Sequence, residues 1–90
     1  MPKKEVLLSP RAQKEFLALQ EKTRAKIRNA LNELAEGSRR LDIKKLKGTG
    51  GREDLFRLRV GVYRITYYPE PDAIRVIRID HRGKGYGWPD

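Results

Sequence analysis

The sequence contains no cysteine, one histidine and one tryptophan among its 90 residues. Without cysteine the chain has no disulfide and no thiolate metal site, which fits a reducing cytosol. No run approaches the roughly 18 apolar residues of a membrane span. The apolar run at residues 6–8, near the basic N-terminus, is too short for a signal peptide. The sequence therefore predicts a soluble, cytoplasmic protein made of one domain, residues 1–90, with an irregular tail over about residues 83–90.

Acidic residues are scarce relative to basic ones. Lysine and arginine total 21 against 12 aspartates and glutamates, a formal net charge of +9. The excess is concentrated in residues 37–68, whose net charge is +6. Such a surplus attracts polyanions, because each neutralised phosphate releases condensed counterions. A charged fraction of 37% is also ordinary in thermophilic proteins, but ion-pair networks of that kind would be nearly balanced in sign.

Two amphipathic helices are predicted in the first half of the chain, after a short strand at residues 5–8. Ser9 can cap the first helix, and Pro10 suits its first position. Gly37 stands where a left-handed residue ends the second helix, which follows a turn near residues 20–23. The apolar positions repeat with helical spacing: Ala12, Phe16 and Leu19 in the first helix, and Ile27, Ala30, Leu31, Leu34 and Ala35 in the second.

Residues 38–52 are basic and interrupted by glycine. Ile43 and Leu46 are their only clear apolar anchors, which favours a short strand there. The stretch GTGGRE, residues 48–53, predicts a loop. This loop lacks the GK(S/T) ending of a phosphate-binding loop, and a strand rather than a helix follows it.

The segment LFRLRVGVYRITYY, residues 55–68, alternates as a β-hairpin does. With Gly61 and Val62 as the turn residues, Arg59 lies opposite Arg64. This register collects the apolar side chains on one face: Phe56, Leu58, Val60, Tyr63, Ile65 and Tyr67. The other face receives Arg57, Arg59, Arg64, Thr66 and Tyr68. A slip of one residue would destroy the separation, which favours the register.

A last strand is predicted at residues 73–80, joined by the turn PEPD and paired with residues 63–68. Ile74 and Val76 fall on one of its faces, and Ile77 and Ile79 on the other. The strand is therefore compatible with burial on both faces. The element order β-α-α-β-β-β predicts an α+β domain, with the helices packed on one face of a small, mainly antiparallel sheet.

The polar face of the hairpin predicts an anion-binding site. Like charges on paired strands repel, and guanidinium groups form planar, bidentate hydrogen bonds with phosphate. The tail adds Arg82 and Lys84 together with Tyr86 and Trp88, whose rings can stack on bases as in single-stranded RNA binders. In the alternative interpretation this face is solvated, its arginines pair with nearby carboxylates, and Trp88 packs back on the domain.

His81 is the one side chain whose unperturbed pKa, about 6.5, suits proton transfer at neutral pH. A lone histidine is more often structural than catalytic. No carboxylate pair, metal-ligand cluster or Ser-His-Asp order stands out in the sequence. The residues alone therefore predict a basic α+β domain with an anion-binding sheet face, and no particular reaction.

Residues 46–68, LKGTGGREDLFRLRVGVYRITYY, resemble the signature of the RelE/ParE toxin superfamily: LKG, a variable loop, then an aromatic residue and R-L-R-V-G-x-Y-R. The downstream strand ending in HR, with a tyrosine a few residues on, is similar to the RelE branch, and the resemblance covers roughly residues 5–86. It implies the fold described above. It also implies a toxin of a type II toxin–antitoxin system that inhibits translation by cleaving mRNA in the ribosomal A site, through attack of a ribose 2′-hydroxyl on the adjacent phosphate.

The resemblance implies roles for individual residues. Arg64 matches the arginine that stabilises the charged phosphorane, and Arg82 matches the arginine that serves the leaving oxygen. Tyr86 matches the tyrosine that stacks on the mRNA base. Arg57 and Arg59 stand where well-studied bacterial members have lysines, one of which is the proposed general base.

Arginine has a pKa above about 12 and is a poor base. The expected roles of Arg57 and Arg59 are therefore phosphate clamping and stabilisation of the transition state, and His81 or the ribosome is expected to supply the base. The residues predicted to bind RNA are Lys45, Lys47, Arg52, Arg57 and Lys84.

The implied partners are a small acidic RelB-like antitoxin, the ribosome and mRNA, and no cofactor or metal is implied. Two alternatives remain open. A ParE-like toxin shares the fold but acts on DNA gyrase, and Arg82 together with Tyr86 favours RelE over it. A non-catalytic RNA-binding relative is kept open by the arginines at the lysine positions.

Overall fold

The computed structural model describes residues 3–46 and 54–81. These residues form two helices and five strands in the predicted α+β order. The elements are β1 (Glu5–Leu8), α1 (Pro10–Leu17), α2 (Glu21–Ala35), β2 (Asp42–Lys45), β3 (Phe56–Val60), β4 (Tyr63–Pro69) and β5 (Ala73–His81). No helix among the described residues is long and apolar enough to cross a membrane.

The helix boundaries follow the capping residues. Ser9 Oγ accepts a hydrogen bond from the Ala12 N–H at 3.0 Å, and Pro10 occupies the first position of α1. At the end of α2, Gly37 has φ +81°. Its N–H donates to Leu34 O, and the next N–H, of Ser38, donates to Glu33 O. This pair of bonds is the Schellman motif, which satisfies the last carbonyls of a helix.

The connection between the helices is shorter than the sequence predicts. α1 ends at Leu17, so Leu19 lies beyond the helix. α2 begins at Glu21, inside the stretch predicted as a turn. Leu19 nevertheless packs against the core, because its N–H bonds to Phe16 O and continues the turn of the chain. A bond from the Arg24 guanidinium to Leu19 O holds the connection against α2.

The five strands form one sheet in the order β1-β5-β4-β3-β2. Only the β1–β5 pair is parallel. Both helices pack on one face, where Ala12, Ile27 and Leu31 meet apolar side chains of β3, β4 and β5. Full burial of each large aliphatic side chain in such a core stabilises the fold by about 1.5–3 kcal/mol.

The predicted hairpin register is confirmed at every position. Arg59 pairs with Arg64, Leu58 with Ile65, and so on to Phe56 with Tyr67. Gly61 has φ +59° at the first turn position, as a two-residue type II′ turn requires. The apolar side chains of the hairpin face the helices, and the arginines face away from them.

A β-bulge in β5 explains the ambiguous apolar pattern of that strand. Thr66 pairs with Arg78, but the next residue, Tyr67, pairs with Val76. Ile77 is therefore an extra residue without a partner position on β4. Because of this insertion, Val76 and Ile79 both point to the helices, and both are buried in the core.

β2 is an edge strand, and all four of its residues are exposed. The expectation that Ile43 anchors this segment is wrong, since 38% of its surface remains accessible. Leu46 does act as an anchor. It is buried together with Leu55, and its N–H donates to Leu55 O at 2.9 Å.

Candidate anion-binding site

The sheet face turned away from the helices carries most of the chemistry, and it is called the arginine face below. The strand registers place on it Asp42 and Lys44 of β2, Arg57 and Arg59 of β3, Arg64, Thr66 and Tyr68 of β4, and Arg75, Arg78 and Asp80 of β5. On this face cations outnumber carboxylates among the described residues. The observed fold therefore gives this face an excess of positive charge.

Two rows of side chains cross the arginine face perpendicular to the strands. The first row runs Asp42, Arg59, Arg64, Asp80, and the second runs Lys44, Arg57, Thr66, Arg78. Directly paired residues on neighbouring strands have Cβ atoms about 4.5–5.5 Å apart. The side chains of Arg59 and Arg64 therefore leave the sheet side by side at the centre of the first row, which has an aspartate at each end.

The arginines differ in exposure. The side chain of Arg59 is 32% exposed, whereas that of Arg57 is only 6% exposed. Arg64 is half-buried, and the Nε atoms of Arg59 and Arg64 are both buried. The first row thus offers two partly exposed arginine side chains whose guanidinium groups are enclosed at Nε. Arg57 lies beneath the surface and contributes its charge rather than a direct contact.

Carboxylates hold several of these cations. Arg57 Nη1 donates to Asp42 Oδ1 at 2.9 Å, and the other carboxylate oxygen of Asp42 lies 3.9 Å from Arg59 Nη1. On the same face, at the β5 end of the rows, Arg78 Nε donates to Asp80 Oδ2 at 2.7 Å. A buried guanidinium requires such a partner, because removing an unpaired charge from water costs several kcal/mol.

Beyond the two rows, Tyr68 pairs with Arg75 at the far end of the face. Arg75 Nε donates to Glu70 Oε1 at 2.7 Å. This hydrogen bond raises the pKa of the exposed Arg75 guanidinium. On the helix-bearing face, burial raises the pKa of Tyr67 to about 12, because the ionised phenolate is poorly solvated there.

Two residues predicted from the sequence lie on the helix-bearing face instead. His81 pairs with Tyr63, and Lys45 pairs with Phe56. Both Tyr63 and Phe56 pack against the core, and directly paired residues point to the same side of a sheet. The structure therefore brings neither the imidazole nor the Lys45 ammonium group to the arginine rows.

The structure brings Arg57, Arg59 and Arg64 together as predicted, and it adds residues that sequence reasoning missed. Lys44 and Asp42 could have been found by extending the hairpin register onto β2. Arg78 was hidden by the bulge at Ile77. The predicted site residues that lie outside the described residues are Lys47, Arg52, Arg82, Lys84 and Tyr86.

No group of three or more histidine, aspartate or glutamate side chains that could hold a metal ion occurs within residues 3–46 and 54–81. The polar side chains described on the arginine face are its guanidinium groups, Lys44, Thr66, Tyr68 and the two aspartates. Such an arrangement suits binding of a phosphate diester and stabilisation of added negative charge on it.

The sequence matches the model of a known protein family. The family model described as the ParE toxin of the type II toxin–antitoxin system, parDE, matches residues 6–86. The chain belongs to this family. It is thus a toxin of a type II toxin–antitoxin system in the RelE/ParE superfamily.

Solved structures of the superfamily share the fold. A chain of the RelB–RelE antitoxin–toxin complex from Methanococcus jannaschii is 28% identical, with a TM-score of 0.67 over 84% of this toxin and 89% of that chain. A chain of the RelE–RelB complex from Pyrococcus horikoshii is 24% identical, with a TM-score of 0.68 over 93% of this toxin and 100% of that chain.

The complex RelBE2 from Mycobacterium tuberculosis has a chain that is 23% identical, with a TM-score of 0.74 over 90% of this toxin and 100% of that chain. The similarities to the Pyrococcus horikoshii and Mycobacterium tuberculosis chains show a shared fold alone. Among curated proteins, none matches the toxin. The family description refers to ParE and the similar structures to RelE, so family membership leaves both activities open.

Proposed function

We propose that this toxin is a ribosome-dependent endoribonuclease that cleaves mRNA in the A site and so inhibits translation. The observation that carries the proposal is the side-by-side placement of Arg59 and Arg64 on an open sheet face, with the cations of the second row beside them. The likeness to a RelE complex at 28% identity supports it.

The proposed reaction is an internal transfer of the phosphodiester. The ribose 2′-oxygen bonds to phosphorus while the bond from phosphorus to the 5′-oxygen breaks. The 2′-hydroxyl loses its proton, and the departing 5′-oxygen gains one. The products are a 2′,3′-cyclic phosphate and a 5′-hydroxyl, and no metal or cofactor is needed for the balance.

The role proposed for Arg59 and Arg64 is to bind the non-bridging oxygens as charge builds on them. Guanidinium groups stay protonated and present donors in a fixed plane, so they bind the doubly negative phosphorane more strongly than the singly negative phosphodiester. A donor aimed at such a charge is worth about 2.7–4 kcal/mol, or roughly 10²–10³ in rate. Arg82 is still predicted to serve the leaving oxygen, and Tyr86 is still predicted to stack on the mRNA base.

The proton acceptor is proposed to lie outside the arginine face. Arg57 and Arg59 cannot take up the proton at neutral pH. His81 lies on the other face of the sheet, which favours a group of the ribosome over the imidazole. Dependence on the ribosome would follow, since the toxin alone would hold the phosphate without a base in place.

The proposed partners follow from the charge and from the relatives. A net charge of +9 suits an acidic chain, and the similar structures are antitoxin–toxin complexes. A small acidic RelB-like antitoxin that neutralises the toxin is therefore proposed as its partner. The ribosome and mRNA are the proposed cytoplasmic targets.

The test is toeprinting of a defined mRNA on programmed ribosomes, beside the same RNA without ribosomes. Wild-type toxin is expected to cut in the A-site codon, and Arg59→Ala and Arg64→Ala are each expected to slow cleavage by about 10²–10³-fold. Arg39→Ala is the control, since Arg39 is exposed in the connection between α2 and β2. An uncut mRNA, or equal cleavage by all four proteins, would contradict the proposal.

Inhibition of DNA gyrase is the second candidate, and the ParE description of the matching family favours it. A supercoiling assay with purified gyrase separates the two. A ribonuclease of the RelE kind is expected to leave supercoiling unchanged. Loss of supercoiling together with intact mRNA would assign the toxin to the gyrase-inhibiting branch.

A further inference from the structure

A carboxylate ends the first row on each side of the arginine face. Asp42 on β2 precedes Arg59, and Asp80 on β5 follows Arg64. In a surface that attracts RNA through its positive charge, each carboxylate weakens the attraction. The presence of two of them, at symmetric positions, requires another explanation.

Both aspartates reach from the first row into the second, Asp42 diagonally across to β3 and Asp80 along its own strand β5. Asp42 bonds to Arg57 at 2.9 Å, while its other oxygen is 3.9 Å from Arg59. Asp80 bonds to Arg78 at 2.7 Å and approaches Arg11 of α1 at 3.9 Å. Each aspartate therefore joins two cations through one carboxylate. Those of Asp42 both lie on β3, and those of Asp80 lie on β5 and α1.

The second-row arginines tied in this way are enclosed. The side chains of Arg57 and Arg78 are only 6% and 12% exposed. A long arginine side chain that has no such partner samples many rotamers. A guanidinium group already held by a carboxylate loses little further freedom when it binds a ligand. Groups that stabilise a transition state act best when they are fixed before the reaction.

We infer that Asp42 and Asp80 are positioning residues, which fix the guanidinium groups of the second row and thereby set the geometry in which Arg59 and Arg64 receive the phosphate. Neither aspartate touches the reacting atoms. This inference rests on the proposed ribonuclease function. It predicts opposite effects on binding and on catalysis, which a purely stabilising ion pair would not produce.

The test compares Asp42→Asn and Asp80→Asn with Glu70→Gln. The pair of Arg75 and Glu70 has the same 2.7 Å geometry as that of Arg78 and Asp80 and lies at the same face, but outside the two rows. All three substitutions remove one negative charge and keep the shape of the side chain. They therefore change the attraction for RNA alike and differ only in which arginine is released.

Two measurements are made on each protein. Affinity is measured with a short single-stranded RNA that carries a 2′-deoxyribose at the cleavage position, and the cleavage rate is measured in single turnover on programmed ribosomes. All three variants are expected to bind at least as tightly as wild type. Asp42→Asn and Asp80→Asn are expected to cleave about 10²-fold more slowly, the order of loss that misplaced groups produce, and Glu70→Gln at the wild-type rate.

A cleavage rate in Asp80→Glu between those of Asp80→Asn and wild type would support positioning by the negative charge. Wild-type cleavage rates in both aspartate variants, with the circular dichroism spectrum unchanged, would overturn the inference. Weaker RNA binding in these variants would overturn it too, because removing a carboxylate that only positions arginines should leave the attraction for RNA at least as strong.

A third measurement does not depend on cleavage, so a failure of the proposed function is recognised separately. The ¹⁵N–¹H heteronuclear Overhauser effect of the Arg78 Nε–H reports its motion. It is expected to show a rigid group in wild type and in Glu70→Gln, and a mobile one in Asp80→Asn. An equally rigid group in Asp80→Asn would refute the inference. Intact mRNA on ribosomes treated with wild-type toxin would refute only the proposed ribonuclease function.

Discussion

Tyr63 and His81 stack edge to face, with ring centroids 5.3 Å apart. Their strands pair them directly, at the start of β4 and the end of β5, on the side of the sheet that carries the helices. Aromatic pairs in this arrangement contribute about 0.5–1.5 kcal/mol beyond their buried area. The contact gives the single histidine of the toxin a structural role.

The first prediction concerns the replacement of His81. We expect His81→Gln to cut mRNA on ribosomes at nearly the wild-type rate and to lower the free energy of unfolding by about 0.5–1.5 kcal/mol, through loss of the ring contact. Single-turnover cleavage and urea unfolding measure the two effects. A loss of cleavage comparable to that of Arg64→Ala, with stability retained, would instead show that the imidazole takes part in proton transfer.

The second prediction uses two neighbouring lysines of β2 that point to opposite faces. Lys44 lies on the arginine face beside Arg57, and Lys45 lies on the helix-bearing face beside Phe56. We expect Lys44→Gln to weaken binding of single-stranded RNA and to reduce the slope of log affinity against log salt by about 0.7, the value for one phosphate contact. Lys45→Gln is expected to change the slope little.

Fluorescence anisotropy with a short RNA, over about 50–200 mM salt, gives both slopes. The two variants have the same net charge, so only the position of the removed charge differs. Equal slopes would mean that RNA does not distinguish the faces, and a larger change in Lys45→Gln would move the binding surface to the helices.

The hairpin could be predicted because local signals agree there. Gly61 and Val62 fix the turn, and only one register separates the apolar side chains from the arginines. The helices could be predicted for the same reason, since Ser9-Pro10 and Gly37 mark ends that the apolar stripe independently requires. Where the turn residues and the apolar periodicity specify the same structure, that structure can be predicted from a single sequence.

The position of Arg78 could not be predicted, because the bulge at Ile77 leaves no local signal. Isoleucine is equally suited to either face of a strand, and the extra residue is tolerated because Val76 and Ile79 both gain burial from it. The exposure of Ile43 is a similar case. It depends on β2 forming the edge of the sheet, a property of the whole topology and not of the segment.

The third prediction concerns the start of α1. Ser9 Oγ accepts a hydrogen bond from Ala12 N and donates one to Ile77 O, each at 3.0 Å, so one hydroxyl joins the helix to the bulge. We expect Ser9→Ala to lower the free energy of unfolding by about 1–2 kcal/mol. Urea unfolding measures it. Ser38→Ala is the control, because Ser38 Oγ makes only an exposed bond at 3.3 Å to Arg40 N, and an equal loss there would contradict the argument.

The fourth prediction follows from the burial of Tyr67, whose pKa is raised to about 12 in the folded toxin. In the unfolded chain the phenol ionises near pH 10. Between these two values the folded state binds the proton more strongly, so stability is fully present below about pH 10 and falls as the pH rises toward 12. At about pH 11 the loss amounts to about 1.4 kcal/mol.

Tyr67→Phe removes the ionisable group and keeps the ring. We expect the stability difference between wild type and this variant to shift by about 1.4 kcal/mol in favour of the variant from about pH 9 to pH 11. Urea unfolding of both proteins at each pH gives the shift, and the titration of every other group cancels in the difference. Parallel stability curves would show that the Tyr67 hydroxyl is solvated in the folded state, in conflict with its 3% exposure.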